Sequence, residues 1–166
     1  MPFSLLPKTI VTALPDLTPR KLSAMGVKVL MLDFDNTVVP YTNNVPAPAI
    51  RAWFHTMEKT GVRLCVVSNS KKERVKIFCQ EWNIPCFTHC RKPSTRGIQQ
   101  AAEAMEVPLE QCALAGDQIF TDTLAANRAG IRSILVKPIH LHNIWLKLRH
   151  VAEQPFIFIA KRRNAK

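Results

Sequence analysis

Between residues 27 and 138 the sequence alternates short apolar runs with longer amphipathic segments, and this alternation restricts the possible folds more than any other feature. The run VKVLMLDF (27–34) is typical of a strand that is buried on both faces. Strands separated by helices of about 10–15 residues form βαβ units, in which the strands are parallel. We therefore predict an α/β three-layer sandwich with a central parallel sheet and helices on both faces.

The predicted elements follow one another in strict order. Strands are expected at 27–34, 62–69, 85–89, 112–117 and 131–138. Helices are expected at 46–61, 71–83, 93–107, 119–130 and about 142–153. The two ends do not fit this alternation, although 166 residues suffice for one domain with a real core. We divide the chain into a basic, amphipathic N-terminal extension (1–26), a core (27–140) and a C-terminal helix with a basic tail (141–166).

Polar side chains follow four of the predicted strands, at the point where each strand ends. In chain order these residues are Asp33 and Asp35, Ser68 and Asn69, Lys92, and then Asp117 and Asp122. The carboxyl ends of parallel strands meet at one edge of the sheet, which is where ligands bind in such folds. The sequence therefore predicts that carboxylates, a hydroxyl and an ammonium group converge on that edge.

The residue types indicate phosphoryl transfer. The clustered carboxylates of Asp33, Asp35 and Asp117 would repel one another unless a hard cation such as Mg²⁺ lay between them. The cation would keep Asp33 ionised, as a nucleophile must be. Lys92 and Ser68 would bind an anionic group beside it. We therefore expect a reaction that passes through an aspartyl-phosphate.

Four short motifs carry a family resemblance. DFDNT, SN, KP and GDQIFTD resemble, in order and spacing, the four motifs of the haloacid dehalogenase (HAD) superfamily in its phosphatase branch. VVSNS, NRAGI and ILVKPI resemble the YqeG-type subfamily, class IIIA. That subfamily is related to the mitochondrial and plastid phosphatases that make phosphatidylglycerol from phosphatidylglycerophosphate. The resemblance implies an HAD-like Rossmannoid fold and a Mg²⁺-dependent phosphatase.

The resemblance also implies roles for the first motif. Asp33 would attack phosphorus and carry the phosphoryl group, and it would bind Mg²⁺. Asp35 would protonate the leaving oxygen and then activate water, while its backbone carbonyl would also bind the metal. Thr37 would brace the loop as part of the phosphate site. Family ATPases usually carry Thr at the position of Asp35, so an aspartate there favours a phosphatase.

The other three motifs receive the remaining implied roles. Ser68 and Lys92 would bind the transferred phosphoryl group, and Asn69 would add a hydrogen-bond donor. Asp117 would be a metal ligand, directly or through water. Asp122 would orient the ligands from the outer shell of the metal.

The motif spacing leaves no room for a cap domain over the site. About eight residues, VVPYTNNV, separate Thr37 from the next helix, and about 22 separate Asn69 from Lys92. An open site suits a large substrate, and a lipid headgroup is our first hypothesis. A phosphoprotein, a nucleotide or a soluble phosphate is the alternative substrate.

Excess positive charge lies at the two ends of the chain. The net charge is +11, while residues 33–136 hold twelve Lys/Arg against ten acids. Basic ends suit an anionic surface, so we expect an anionic phospholipid or a membrane surface as partner. FSLLPKTIVTALPDL (3–17) and FIFIAKRR (156–163) would place apolar side chains at that surface or pack on the core. A non-catalytic RNA- or ribosome-associated protein is the rival interpretation, and the sequence identifies no protein partner.

The sequence gives little support for a targeting signal. No apolar run approaches the ~18 residues of a transmembrane helix, and the N-terminus resembles neither a signal nor a transit peptide. We expect a cytoplasmic location, with peripheral contact at the inner face of a membrane under the lipid hypothesis.

The odd count of five cysteines favours reduced thiols. A zinc site at Cys79, Cys86, His89 and Cys90 is the lesser alternative, because the usual CxxC pairs are missing.

Overall fold

One six-stranded sheet organises the protein, which we describe from a computed structural model covering residues 3–141 and 143–164. The strands are β1 (Thr9–Val11), β2 (Val29–Leu32), β3 (Arg63–Val67), β4 (Cys86–Phe87), β5 (Cys112–Gly116) and β6 (Arg132–Val136). They lie in the order β1-β6-β5-β2-β3-β4, and every neighbouring pair is parallel. The predicted parallel α/β sheet is confirmed.

Helices occupy the crossovers between the strands, and a last helix follows β6. They are α1 (Pro19–Ala24), α2 (Pro48–Glu58), α3 (Glu73–Glu81), α4 (Arg96–Ala104), α5 (Leu124–Ala129) and α6 (Ile144–Asn164). The segment 119–130, predicted as one helix, begins instead with a π-helical turn, Ile119–Thr123, and continues as α5. Gly130 ends α5 in the left-handed conformation (φ 78°), which glycine adopts without steric cost.

Strand β2 shows why its sequence is apolar throughout. Leu30 and Leu32 point into a core layer that α2 and α3 cover with Phe54 and Phe78. The intervening Val29 and Met31 point into the opposite layer, which holds residues of α4 and α5. Because successive side chains of a strand face opposite sides, both sets are buried. The result is the predicted three-layer sandwich.

The N-terminal segment is part of this core, contrary to the prediction that residues 1–26 form an extension. Strand β1 pairs with β6 at the edge of the sheet. Leu14, Leu17 and Leu22 are almost completely buried, and the indole N–H of Trp53 in α2 donates to the backbone oxygen of Leu17 (2.9 Å). This strand could not be recognised from the sequence because it is only three residues long and prolines interrupt the apolar pattern on both sides of it.

The C-terminal segment forms one long helix rather than a short helix and a tail. Helix α6 continues through Pro155 and carries most of the residues predicted as the basic tail. Its buried residues, Leu146, Glu153 and Ala160, recur every seven positions and so lie on one face. Proline usually ends a helix because it lacks an N–H group, which is why the prediction stopped near residue 153.

Among the described residues, no second domain is inserted at the carboxyl edge of the sheet. The loop from β2 to α2 contains only the isolated bridge between Asp35 and Val39, and the chain from β3 to α4 contains only α3 and β4. These stretches therefore contain no cap domain, as predicted. None of the helices in the described ranges combines the length and apolar character needed to cross a membrane.

Candidate active site

Three neighbouring strands place the predicted site residues side by side. β2 lies between β3 and β5, and Asp33, Ser68 and Asp117 each come directly after one of these strands. The backbone N–H of Asp33 extends the ladder by donating to Ala115 (2.8 Å). All three residues are buried although they end strands at a sheet edge. The parallel order therefore produces the predicted convergence.

Three carboxylates form the centre of the site. Asp33, Asp117 and Asp122 are buried, and one carboxylate oxygen of each lies within 4.8 Å of the others. Gly116 makes room for this cluster, because a Cβ there would lie 2.4 Å from the Asp122 carboxylate carbon. Asp122 thus lies in the same cluster as Asp33 and Asp117, where the resemblance implies that it orients the metal ligands.

Lys92 partly neutralises these carboxylates. Its ammonium group lies 2.6 Å from Asp33 Oδ1 and 2.7 Å from Asp122 Oδ1, and it donates to the backbone oxygen of Val67 (2.7 Å). Asn69 holds the Lys92 backbone from both sides: its Oδ1 accepts from the Lys92 N–H (2.6 Å) and its Nδ2 donates to the Lys92 oxygen (3.0 Å). Asn69 therefore positions Lys92, a role that the sequence did not suggest.

Burial dominates the acid–base properties of the cluster. It raises the pKa of Asp33 to about 6, although Lys92 opposes that shift. Burial, then Asp33 and Asp122, raise the pKa of Asp117 well above its ordinary value. Burial alone would lower the pKa of Lys92, but Asp122 and Asp33 outweigh it and raise the pKa. Lys92 and Arg149, which lies 3.7 Å from Asp117 Oδ2, do not balance three buried carboxylates, so the cluster favours a further cation or a proton.

The carboxylate of Asp35 lies apart from this cluster. It forms an ion pair with the Arg74 guanidinium of α3 instead of joining Asp33 and Asp117, where the residue types had led us to expect it. Arg74 also donates to the backbone oxygens of Tyr41 (3.3 Å) and Asn43 (3.1 Å). It therefore ties the loop after β2 to α3. The two aspartates of DFDNT consequently have different surroundings.

The two predicted hydroxyl residues, Thr37 and Ser68, are both buried and follow the neighbouring strands β2 and β3. Thr37 Oγ1 donates to Asp33 Oδ2 at 3.5 Å, a long contact. Ser68 is buried, and its Oγ accepts from the backbone N–H of Ser70 (3.1 Å). The Ser68 hydroxyl hydrogen is thus available to an anion placed at the site.

Four residues that the sequence did not single out also contact the site. Asn36 Nδ2 donates to Asp117 Oδ2 (3.4 Å), and its Oδ1 accepts from the His140 N–H (2.8 Å). Arg149 of α6 lies 3.7 Å from Asp117 Oδ2. Glu153 of α6 is buried and accepts from the Ile119 N–H (2.8 Å), which fixes the start of the turn that carries Asp122. Arg74 is the fourth.

The cysteine cluster does not form a metal site. All five cysteines are free thiols, and His89 is exposed. In the described ranges, the one group of three or more metal-type ligands is the aspartate trio. The zinc alternative therefore has no geometric support.

A hard divalent cation suits the trio. Its donors are all carboxylate oxygens, which Mg²⁺ prefers. Among the described residues, Asp117 Oδ1 is buried and accepts no hydrogen bond, although such an atom normally has a partner. Asp33, Asp117 and Asp122 are thus the residues that would hold the ion.

Comparisons of sequence agree with this geometry. Residues 89–138 match the family described as HAD-hydrolase-like. The chain is 37% identical over 134 residues to "Probable phosphatase YqeG" of Bacillus subtilis, covering 81% of this chain and 78% of that protein. It is 28% identical over 130 residues to chloroplastic phosphatidylglycerophosphate phosphatase 1 of Chlamydomonas reinhardtii, covering 72% of this chain but only 48% of that longer protein.

Solved structures share the fold at low sequence identity. An uncharacterised protein from Listeria monocytogenes serotype 4b aligns with a TM-score of 0.57 at 16% identity, covering 71% of this chain and 84% of that one. The cobalt-bound deoxy-D-mannose-octulosonate 8-phosphate phosphatase of Haemophilus influenzae aligns with a TM-score of 0.54 at 13% identity, covering 68% and 69%. The motifs, the sheet and the YqeG match together show that this chain belongs to the HAD-like hydrolases, in the branch that contains YqeG.

Proposed function

We propose that the protein is a Mg²⁺-dependent phosphomonoester hydrolase that acts through an aspartyl-phosphate on Asp33. The observation that supports this most strongly is the burial of the Asp33 carboxylate beside Lys92 and two further carboxylates. Such a site holds an ionised nucleophile and a charged phosphoryl group only if cations balance both. In the described stretches beside the site, no cap domain is inserted.

Two aspartates divide the chemistry between them. A carboxylate oxygen of Asp33 attacks phosphorus, and the bond from phosphorus to the leaving oxygen breaks. Asp35 gives its proton to that oxygen, so the product leaves as an alcohol. Asp35 then takes a proton from water, which attacks phosphorus and releases phosphate together with the Asp33 carboxylate. Arg74 holds the Asp35 carboxylate apart from the trio, so we assign Asp35 to proton transfer rather than to side-chain metal binding. The Arg74 pair would have to open for Asp35 to carry a proton.

Binding of the phosphoryl group falls to the remaining residues. Lys92 contributes positive charge, and Ser68 contributes a hydroxyl donor. Thr37 supports the Asp33 carboxylate, and Asn69 keeps Lys92 in place. Mg²⁺ bound by Asp33, Asp117 and Asp122 would neutralise charge on the phosphoryl oxygens.

Stabilisation by Mg²⁺ is expected to depend on pH. Burial raises the pKa of Asp33 to about 6, so the metal-free protein is most stable with Asp33 protonated and loses that stability as pH rises through about 6. Mg²⁺ binds the ionised form. At a concentration 100 times its dissociation constant it should add about 2.7 kcal/mol at pH 7.5, which raises Tm by roughly 5–10 °C.

Thermal unfolding at constant ionic strength measures this effect. At pH 5 the shift should be much smaller, because Mg²⁺ must displace protons. The Asp117→Asn variant should show little shift at either pH. An equal shift at both pH values, or an unchanged shift in the variant, would contradict the assignment of the metal ligands.

Phosphatidylglycerophosphate is the substrate that we propose. The similarity to a chloroplastic phosphatase for that lipid supports it, as does the absence of a cap domain from the described stretches beside the site. An uncovered edge admits a phosphate that remains attached to a lipid at a membrane surface. A phosphoprotein, a nucleotide or a soluble phosphate is the alternative substrate.

Helix α6 supports an anionic membrane surface as the partner. Opposite its buried face it exposes an apolar stripe consisting of Ile144, Leu148, Val151, Phe158 and Ile159, with Trp145 beside it. Lys147, Lys161 and Arg163 are positioned on the two sides of this stripe. Through such a stripe between cations, the helix would contact the headgroup region of anionic lipid. The stripe and the carboxylate site are joined through Arg149 and Glu153 of the same helix.

Vesicle sedimentation tests this surface. The protein should bind vesicles that contain anionic lipid, and Trp145 fluorescence should shift to the blue on binding. Replacing Leu148 and Phe158 with Ser should weaken binding at least about tenfold, because each loses roughly 1.5–3 kcal/mol of apolar burial. A matched double replacement of exposed apolar residues elsewhere, Val45→Ser/Ile77→Ser, should leave binding unchanged. Equal loss in both variants would contradict a role for α6.

Phosphate release tests the substrate. The wild-type protein with Mg²⁺ should hydrolyse phosphatidylglycerophosphate in vesicles faster than a panel of nucleotides, sugar phosphates and phosphopeptides at equal concentration. Faster turnover of a soluble compound would support the alternative substrate class. Tight, salt-sensitive RNA binding without turnover of any monoester would support the RNA-associated interpretation instead.

A further inference from the structure

A groove leads away from the carboxylate cluster along the edge of the sheet. It has a volume of about 640 Å³ and lies between the ends of β1 and β6 on one side and α6 on the other. Asp117 is at one end, and Val11, Val136 and Ile157 are among the apolar lining residues. This volume is typical of sites for small molecules and larger than one phosphate needs.

Three lysines from separate parts of the chain line this groove. They are Lys21 of α1, Lys137 directly after β6, and Lys161 of α6. In the described part of the chain, none of their ammonium groups lies within 4.0 Å of a carboxylate. Asp16 also lines the groove, but its Oδ2 already accepts the backbone N–H groups of Thr12 and Ala13 (both 3.0 Å). The groove therefore has a surplus of positive charge.

The groove also offers a neutral polar group. Burial lowers the pKa of His150, and Arg149 and Lys137 lower it further. At neutral pH its imidazole is consequently uncharged and forms a hydrogen bond rather than an ion pair. Hence the positive charge available to a ligand comes from the lysines.

We propose that this basic groove binds a second phosphate of the substrate, linked as a phosphodiester to the group that carries the scissile phosphomonoester. The inference rests on the proposed function, since it places the monoester at Asp33. The Asp117 end of the groove touches the carboxylate cluster, so a substrate with both phosphates would occupy the two regions together. Lys21 donates to the backbone oxygen of Asp16 (2.9 Å), but its charge, like that of Lys137 and Lys161, is not balanced by a carboxylate within 4.0 Å among the described residues. An uncharged leaving group would gain nothing from these three lysines.

The same groove gives the two ends of the chain a function. Lys21 follows β1 in the N-terminal segment, and Lys161 lies beyond Pro155 in α6. Neither segment belongs to the alternating strands and helices that place the catalytic residues. Together they line one side of the groove, and this side distinguishes substrates by the chemical group next to the scissile phosphate.

Two soluble substrates test this specificity without involving membrane binding. Glycerophosphoglycerol phosphate carries a phosphodiester and a monoester, whereas glycerol 3-phosphate carries the monoester alone. The wild type should have a kcat/KM at least about tenfold higher for the first, as expected for charge-assisted contacts. The Lys137→Gln/Lys161→Gln variant should reduce this ratio about tenfold.

A matched variant controls for the loss of charge. Lys28 and Lys59 are exposed, and Lys28 directly precedes β2, at the opposite edge of the sheet. The Lys28→Gln/Lys59→Gln variant removes the same charge and should retain the wild-type ratio. An unchanged ratio in the groove variant, or an equal loss in both variants, would overturn the inference while leaving the phosphatase proposal intact.

A binding measurement covers the case in which the proposed function is wrong. If the wild type hydrolyses no phosphomonoester, the phosphatase proposal fails, and calorimetric titration with glycerophosphoglycerol then decides the inference. The wild type should bind this phosphodiester more tightly than inorganic phosphate, and the groove variant should bind it about tenfold more weakly. Equal binding by wild type and groove variant, or a preference for inorganic phosphate, would overturn the inference.

Discussion

Replacing Asp33 with Asn is expected to reduce phosphate release by about 10⁴-fold or more, a loss typical of removing a catalytic nucleophile. The amide has nearly the same shape as the carboxylate but cannot form the acyl phosphate. The protein should still fold, because Lys92 retains Asp122 and the Val67 oxygen as partners. Assay of kcat with Mg²⁺ and a circular dichroism spectrum measure the two outcomes.

The comparison variant is Glu103→Gln, which neutralises an exposed acid on α4. It should retain wild-type kcat and Tm. Asp33→Ala serves as a second test, since a carboxylate cannot be regenerated from it. Substantial turnover by either Asp33 variant would show that another residue attacks phosphorus.

Replacing Lys92 with Met is expected to have the largest effect on stability. The ammonium group is the closest positive charge to two of the buried carboxylates. Removing one partner from a buried charged group costs about 3–5 kcal/mol, because the remaining charges are left without compensation. For a domain of this size that lowers Tm by roughly 10 °C, and activity should fall with it.

The pH dependence of this loss identifies its cause. Protonation relieves the repulsion among the carboxylates, so the difference in Tm between wild type and Lys92→Met should shrink as pH falls below about 6. Lys76→Met removes an exposed lysine that pairs with Glu73 and should change Tm very little. A deficit that stays constant from pH 8 to pH 5 would indicate lost packing rather than lost charge.

The local pattern of apolar and polar residues was sufficient to predict the central sheet and the polar residues at its carboxyl edge. Asp33, Ser68 and Asp117 each follow an apolar run whose length and composition identify a strand, so their convergence follows from parallel pairing alone. The same reasoning did not place the Asp35 carboxylate. Its partner, Arg74, lies 39 residues away on the face of α3 that contacts the loop, and nothing in the spacing indicates that contact.

The ends of the chain could not be placed from sequence for a physical reason. β1 becomes a strand only because β6 offers it a parallel edge, and α6 passes through Pro155 while one face packs against the core. Tertiary contacts override local preference in both cases. Glu153 is the one acid in residues 137–166. A single acid in a basic segment is the sequence signal that could have indicated a buried role for Glu153, which accepts a hydrogen bond from the Ile119 N–H.

Helix α6 joins features that the sequence had presented separately. One side of it contacts the carboxylate site through Arg149 and Glu153, another lines the basic groove, and the exposed side carries the apolar stripe. A substrate at a membrane surface would therefore meet the groove and the nucleophile through a single element. Under the proposed function, this arrangement would account for the concentration of positive charge at the end of the chain.

The most direct test of the proposed function is to identify the residue that carries the phosphoryl group. In Asp35→Asn the first transfer can occur, but hydrolysis of the acyl phosphate is slowed because no carboxylate activates water. Acid quenching after brief exposure to substrate and Mg²⁺, followed by peptide mass spectrometry, should show one phosphoryl group on Asp33. A phosphoryl group on any other residue, or none when the wild type releases phosphate under the same conditions, would contradict the mechanism.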